Sequence, residues 1–115
     1  MKLLVCGGRG YNDRDHIWFI LDIFKALYPG ELQLIQGGAK GADKLAYYWA
    51  KEHRVPCRTY EADWNKYGKA AGFIRNKTML EDGKAEMVLA FPGGRGTQHM
   101  VDLARKKGIE IVSFN

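Results

Sequence analysis

Three times in 115 residues a short apolar run ends in a glycine-rich turn that carries a basic residue, and each time a helical pattern follows. The last of these is the fullest. Met87, Val88, Leu89, Ala90 and Phe91 lead into Pro92-Gly93-Gly94-Arg95-Gly96-Thr97, which reads as strand, turn and helix, the helix starting at about Thr97. Its glycines are expected to let the backbone take positive φ and approach a ligand with no Cβ in the way. The earlier turns are Val5-Cys6-Gly7-Gly8-Arg9-Gly10 and Leu34-Ile35-Gln36-Gly37-Gly38-Ala39-Lys40-Gly41-Ala42-Asp43. A helix that begins after such a turn points unpaired N–H groups and its positive dipole end back into it, an arrangement that suits a phosphate. The three turns are therefore expected to meet at one rim as an anion cradle.

The pattern between the turns fills in the rest of the fold. Leu3 to Cys6 form an apolar run of the kind found in strands covered on both faces. Asn12 is expected as the N-cap of a first helix, with Asp15 at its third position. Ile17, Ile20, Leu21, Phe24, Leu27 and Tyr28 give that helix one apolar face, and Pro29-Gly30 stops it. Leu32, Leu34 and Ile35 make a second strand, and Ala42, Leu45, Ala46, Trp49 and Ala50 a second helix that ends near His53-Arg54. Pro56 biases Val55 away from helix and opens a third strand, Cys57 to Glu61. Periodicity then fails, so Asp63 to Gly68 read as a loop, followed by a third helix over Lys69 to Glu81 that Gly83 closes. Met87 to Phe91 form the fourth strand. The last helix turns Met100, Leu103 and Ala104 inward and Arg105, Lys106 and Lys107 outward, with Gly108 at its end, before a fifth strand of Ile109, Ile111 and Val112.

Regular alternation of strand and helix predicts a Rossmann-like three-layer α/β sandwich, about five parallel strands with helices on both faces. Ligands of such sheets bind beyond the carboxyl ends of the strands, where strand order reverses. Residues 1–115 read as one nucleotide-binding domain. A formal charge of +5 favours anionic partners, either nucleotides or nucleic acid. Cys6 and Cys57 fall in predicted strands, with no clustered His/Cys set, so neither a metal nor a disulfide is expected. No stretch is long and apolar enough for a membrane helix, which makes the cytoplasm the expected location.

Taken together, Gly7-Gly8-Arg9, Gly37-Gly38-Ala39-Lys40-Gly41-Ala42-Asp43, Arg75-Asn76 with Met79, and Pro92-Gly93-Gly94-Arg95-Gly96-Thr97 resemble the SLOG superfamily. The similarity is closest to its YspA-like, YpsA-related branch, and the matching residues run in order through nearly the whole chain. That resemblance implies a Rossmann-like fold and recognition of nucleotides or nucleotide-derived small molecules, with no cofactor required. The related LOG phosphoribohydrolases cleave cytokinin ribotides between base and ribose phosphate. Their motif is Pro-Gly-Gly-x-Gly-Thr-x-x-Glu, and the glutamate works with an arginine on the preceding helix. Arg75 matches that arginine, but the glutamate position is Met100. A thioether neither transfers a proton nor stabilises the charge on a departing ribose, which counts against the LOG reaction by the LOG mechanism. His99 lies about 100° away around the helix and is expected to point elsewhere.

The expected phosphate and ligand contacts are Gly7, Gly8, Arg9, Gly37, Gly38, Ala39, Gly41, Arg75, Asn76, Pro92, Gly93, Gly94, Arg95, Gly96 and Thr97. Asp43 reads equally as a helix-start charge or as a ligand to a ribose hydroxyl or water. Asp63 and Trp64, with Tyr67, read either as a base platform or as a lid on the core. Trp18 and Trp49 read as helix packing or a subunit contact, the surplus apolar surface near Trp18 pointing to a homo-oligomer. Three functions follow. The leading one is binding, for sensing or sequestration, of a nucleotide-derived molecule. A second is an N-glycoside or phosphoribosyl hydrolase, with Arg75 and an acid drawn from Asp43, Glu61 or Asp63. The third, resting on the charge and on similarity to DprA, is single-stranded DNA binding.

Overall fold

A computed structural model describes residues 1–114 of the chain. Its strands are β1 (Lys2–Cys6), β2 (Gln33–Gln36), β3 (Cys57–Thr59), β4 (Met87–Ala90) and β5 (Glu110–Ser113). Between them run α1 (Arg14–Leu27), α2 (Ala42–Glu52), a single turn α3 (Trp64–Tyr67), α4 (Ala71–Gly83) and α5 (Arg95–Lys106), with a 3₁₀ turn (Gly68–Ala70) joining α3 to α4. All strand pairs are parallel, in the order β3-β2-β1-β4-β5. This is the Rossmann-like sandwich that the alternation predicts.

The topology follows from the handedness of crossovers. The chain first steps outward from β1 through β2 to β3, so α1 and α2 cover one face. It then returns to β4, beside β1, and steps the other way, so α4 and α5 cover the opposite face. The period-two alternation of each strand feeds both cores. Leu3, Val5, Leu34, Leu89 and Phe91 pack with Ile17 and Leu21 of α1 and Ala46 and Trp49 of α2. Leu4, Cys6, Ile35, Val88 and Ala90 pack with Met79 and Leu80 of α4 and Met100 and Ala104 of α5. Trp49 is fully buried, and its indole N–H donates to Asp22 at 2.8 Å. The indole of Trp18 donates to the Leu45 carbonyl at 3.0 Å, tying α1 to α2, with the Arg14 guanidinium stacked 4.2 Å from its ring. The exposed apolar surface of α1 is carried by Phe19, Ile23 and Leu27, four residues apart. Both cysteines are free. Among the described residues no helix is long and apolar enough to cross a membrane.

Three local expectations are corrected. Asp13, not Asn12, caps α1, its carboxylate accepting the His16 N–H at 3.2 Å; two adjacent residues of equal capping ability leave the choice to the path of the preceding turn. The stretch read as a loop holds α3, a helix too short for periodicity to reveal, with Asp63 as its cap. The chain leaves α4 through Lys84 in the left-handed region (φ 53°), while Gly83 is its last helical residue. What Gly83 supplies is space, since a Cβ there would lie 3.1 Å from Ile35 Cδ1.

In the last turn Gly93 is likewise required for proximity and not for torsion. Within the three turns positive φ belongs to Gly38 (72°) and Gly41 (83°). A Cβ on Gly93 would strike the Thr97 hydroxyl and lie 2.6 Å from the Gly8 nitrogen. Gly93→Ala is therefore expected to cost about 1–3 kcal/mol through overpacking. Gly10→Ala, with nothing within 4 Å of its Cβ position, should stay within about 0.5 kcal/mol of wild type. Urea denaturation of the two variants checks this, and equal stabilities would contradict it.

Candidate functional site

The carboxyl ends of β1 and β4, neighbours across the point where strand order reverses, carry two of the glycine turns, and these are joined directly. The Gly8 N–H donates to the Pro92 carbonyl at 2.8 Å, and a Cβ on Gly8 would lie 3.0 Å from Gly93 Cα. The turn after β2 closes on the same place. Gly41 lies so close to the Gly8 carbonyl that a Cβ would run into it, and the Ala42 N–H donates to that same oxygen at 3.4 Å. The three turns thus meet at one rim, around a cleft of about 400 Å³.

One wall of the cleft is the start of α5, where Gly94, Arg95, Gly96 and Thr97 line it. Gly94 occupies the cap position and no side chain caps the helix. The first-turn N–H groups, which have no carbonyl partner within the helix, are left for a ligand, together with the positive end of the dipole. Gly94 and Gly96 have nothing within 4 Å of their Cβ positions. The turn after β2 is different, because two of its N–H groups are already engaged. Gly38 N–H donates to Gln36 Oε1 at 2.6 Å and Ala39 N–H to Asp43 Oδ2 at 3.2 Å. Gln36, a buried amide at the end of β2, also donates to Thr59 Oγ1 at 2.6 Å, so it braces this turn against β3.

From α4 come Gly72, Arg75, Asn76 and Met79, one helical face at spacings of three and four. Arg75 Nη1 donates to the Gly37 carbonyl at 2.5 Å and to the Tyr60 carbonyl at 3.4 Å, and its Nε donates to Asn76 Oδ1 at 3.1 Å. Burial lowers the Arg75 pKa, but a guanidinium stays cationic at neutral pH. Gly37 lies between Arg75 and Asp43, and a Cβ on it would be 2.5 Å from Arg75 Nη1 and 3.0 Å from Asp43 Oδ2. Trp64, on α3, lies over Gly72 and is half exposed, with the Arg9 guanidinium 5.5 Å from its ring centroid.

Most of the expected site residues come together. Gly7, Gly8, Arg9, Ala39, Asp43, Trp64, Arg75 and Asn76 line the main cleft with the start of α5. Gly37 and Gly38 line an adjoining lobe of about 350 Å³ with Lys40 and Glu61. Pro92 and Gly93 line an outer hollow that also contains Arg9. Gly41 packs beneath Gly8, and Asp63 is outside these linings, its carboxylate accepting the Lys66 N–H at 3.1 Å. Arg105, Lys106 and Lys107 lie at the far end of α5, roughly 15–18 Å along the helix from the cleft. The ligand contacts expected from the sequence did not include Cys6, Lys69, Gly72, Phe73 or Met79, which also line the cleft. His99 packs on Phe73 with ring centroids 4.5 Å apart and meets Asn76 Nδ2 at 3.2 Å. The 100° offset from Met100 turns the ring toward α4, while Met100 itself is wholly buried.

Fold and cleft define a Rossmann-like α/β protein with a glycine-lined crevice at its topological switch point. The chain belongs to the YspA, cpYpsA-related SLOG family, which matches it over residues 1–67. It is 38% identical over 120 aligned residues to the Gene 61 protein of Mycobacterium phage D29, an alignment that covers 98% of this chain and 95% of that protein. The X-ray structure of TM1055, a structural-genomics target, matches it with a TM-score of 0.73. That match covers 96% of this chain and 71% of TM1055 at 18% identity, a likeness of fold. Family membership suggests a nucleotide-related function.

Asp43 is the most perturbed carboxyl of the cleft. Burial pushes its pKa from 3.8 up to about 6, against the opposing pull of the Ala39 and Gly37 N–H groups and of Arg75 and Arg9. The folded protein therefore holds this proton to higher pH than the unfolded chain does. The resulting contribution to stability is fully present below about pH 4 and is lost as pH rises through about 6. The unfolding free energy of wild type relative to Asp43→Asn is expected to fall by about 2 kcal/mol between pH 4 and pH 7. Urea titrations across that range measure it, and a difference that does not change with pH would refute it.

Proposed function

We propose that the protein binds a nucleotide or nucleotide-derived small molecule in this cleft, as a sensing or sequestering module. The observation that carries the reading is the uncapped first turn of α5 opening into a cleft that also presents Arg9, Arg75 and the Trp64 ring. A phosphate suits the N–H groups and dipole of the helix start. A base suits the indole face.

The turn after β2 supports a finer reading. Its Gly38, Ala39 and Ala42 N–H groups already donate to Gln36, Asp43 and Gly8, and the Asp43 carboxylate stands among them. Such a turn favours a hydroxyl donor over a second phosphate. The ligand class is then a nucleoside monophosphate or a close derivative, with its phosphate at α5 and its ribose toward Asp43. Isothermal titration with the four common ribonucleoside monophosphates, ADP, NAD, ADP-ribose and cyclic mononucleotides is expected to give saturable binding, tighter for a monophosphate than for ADP. Arg75→Ala should weaken it about 10- to 100-fold, the worth of a charged hydrogen-bonding group. No saturable binding to any of these compounds would remove the reading.

One observation favours a second reading. The pKa of the buried Asp43 carboxyl, at about 6, is matched to proton transfer near neutral pH. In this reading the protein is an N-glycoside or phosphoribosyl hydrolase. The bond from C1′ to the base nitrogen breaks, the base leaves with the electron pair and takes up a proton, and water bonds to C1′ as Asp43 accepts its proton. Incubation with ribonucleoside monophosphates should then release free base at a rate that Asp43→Asn abolishes, as followed by liquid chromatography. Release no faster than in buffer would exclude hydrolysis of these substrates.

A further inference from the structure

We propose that His99 is a positioning residue of the cleft, which holds Arg75 and the first turn of α5 in register through the Asn76 amide and does so only as a neutral imidazole with its proton on Nε2. The inference deepens the reading of the cleft as an anion site and rests on it.

The Asn76 amide has its orientation set by two partners of fixed character. Its Oδ1 faces Arg75 Nε at 3.1 Å, a group that only donates, and its Nδ2 faces the Gly96 carbonyl at 3.1 Å, a group that only accepts. The other Nδ2 hydrogen is left for His99 Nδ1 at 3.2 Å. That nitrogen therefore carries a lone pair, and the proton of the neutral ring sits on Nε2. Asn76 is only 5% exposed, so its amide has little water to turn to if a partner is lost.

The bonds form a continuous path across the cleft. Arg75 Nη1 holds the Gly37 carbonyl in the turn after β2, Arg75 Nε holds Asn76 Oδ1, and Asn76 Nδ2 holds Gly96 in the first turn of α5. The guanidinium and the helix start are thereby kept at one separation, as two-point recognition of an anion requires. His99 supplies the last acceptor of this path. A proton on Nδ1 would set N–H against N–H and release the amide. The charged groups acting on the ring are Asp102 and Lys106 of α5, with opposite effects, and α4 packs the Phe73 ring and the Asn76 amide against it. Burial, the largest influence, lowers the His99 pKa below 6.5, which keeps the ring neutral at neutral pH.

Two measurements test the proposal. Nitrogen-15 NMR of the unliganded protein should show an unprotonated Nδ1 and a protonated Nε2 on His99 at neutral pH, and the Asn76 side-chain amide should shift with the His99 titration. A proton on Nδ1, or an Asn76 amide that ignores the titration, would overturn the proposal whether or not any nucleotide binds. With AMP as the probe, His99→Leu, which keeps the packing on Phe73, should bind about tenfold more weakly than wild type. His99→Asn restores an acceptor at the Nδ1 position and cannot titrate. It should bind within about threefold of wild type at neutral pH and keep, below the pH at which NMR shows His99 to titrate, affinity that wild type loses. Comparing the two proteins at each pH cancels the titrations of the phosphate and of Asp43. Equal affinities of His99→Leu and wild type, or an equal loss in both variants, would overturn the role. If AMP binds to none of them, the cleft reading fails for this ligand and the NMR result alone decides between a linked and an unlinked His99.

Discussion

The hydrogen bond from Gly8 N–H to the Pro92 carbonyl, 2.8 Å long, is the contact on which the site depends. It crosses the point where strand order reverses, between β1 and β4, and it welds two turns that are more than eighty residues apart in the chain. A side chain on either Gly8 or Gly93 would force the two backbones apart. With them joined, the carbonyl of Gly8 is in place to receive the third turn, through Gly41 and Ala42. Parallel pairing of short, fully buried strands sets the depth at which these turns emerge, so the crevice follows from the sheet order.

Within that crevice the charges are unequally distributed. The start of α5 offers uncapped N–H groups, whereas in the turn after β2 the Gly38 and Ala39 N–H groups are spent internally and a buried carboxylate stands beside them. Two guanidinium groups, of Arg9 and Arg75, pull the Asp43 pKa down, yet burial outweighs them and leaves it near 6. One end of the cleft thus suits an anion, and the other suits a hydrogen-bond donor. The Arg9 guanidinium against Trp64 forms part of the lining of both the main cleft and its adjoining lobe.

Much of this was legible in the chain. Continuous apolar runs and three-four spacings located the strands and helices to within a few residues, because burial on two faces leaves little choice of residue type along a parallel strand. The turns were legible for a related reason, since glycine is retained where backbone meets backbone. The reason assigned to it was partly wrong. Gly93 and Gly94 were expected to allow positive φ, but φ is negative at Gly94 and Gly93 is held by its approach to Gly8. The short α3 escaped notice because four residues carry no period. Lys84 escaped notice because a left-handed lysine has no marker of its own.

Composition and pattern by themselves determined the class of fold, the rim at which the three glycine turns meet and the Arg75 to Met79 face of α4, because these depend on periodicity and on the absence of side chains. Only the tertiary structure decided which donors stay free. Whether an N–H is available, whether Asp63 meets a ligand or caps a helix, and whether His99 faces α4 or solvent all depend on partners distant in the chain. Hydrogen bonds saturate: once Ala39 N–H is given to Asp43, or Asn76 Nδ2 to Gly96 and His99, that donor has nothing left for a ligand. A linear string records the groups that can bond but not the partners that reach them first.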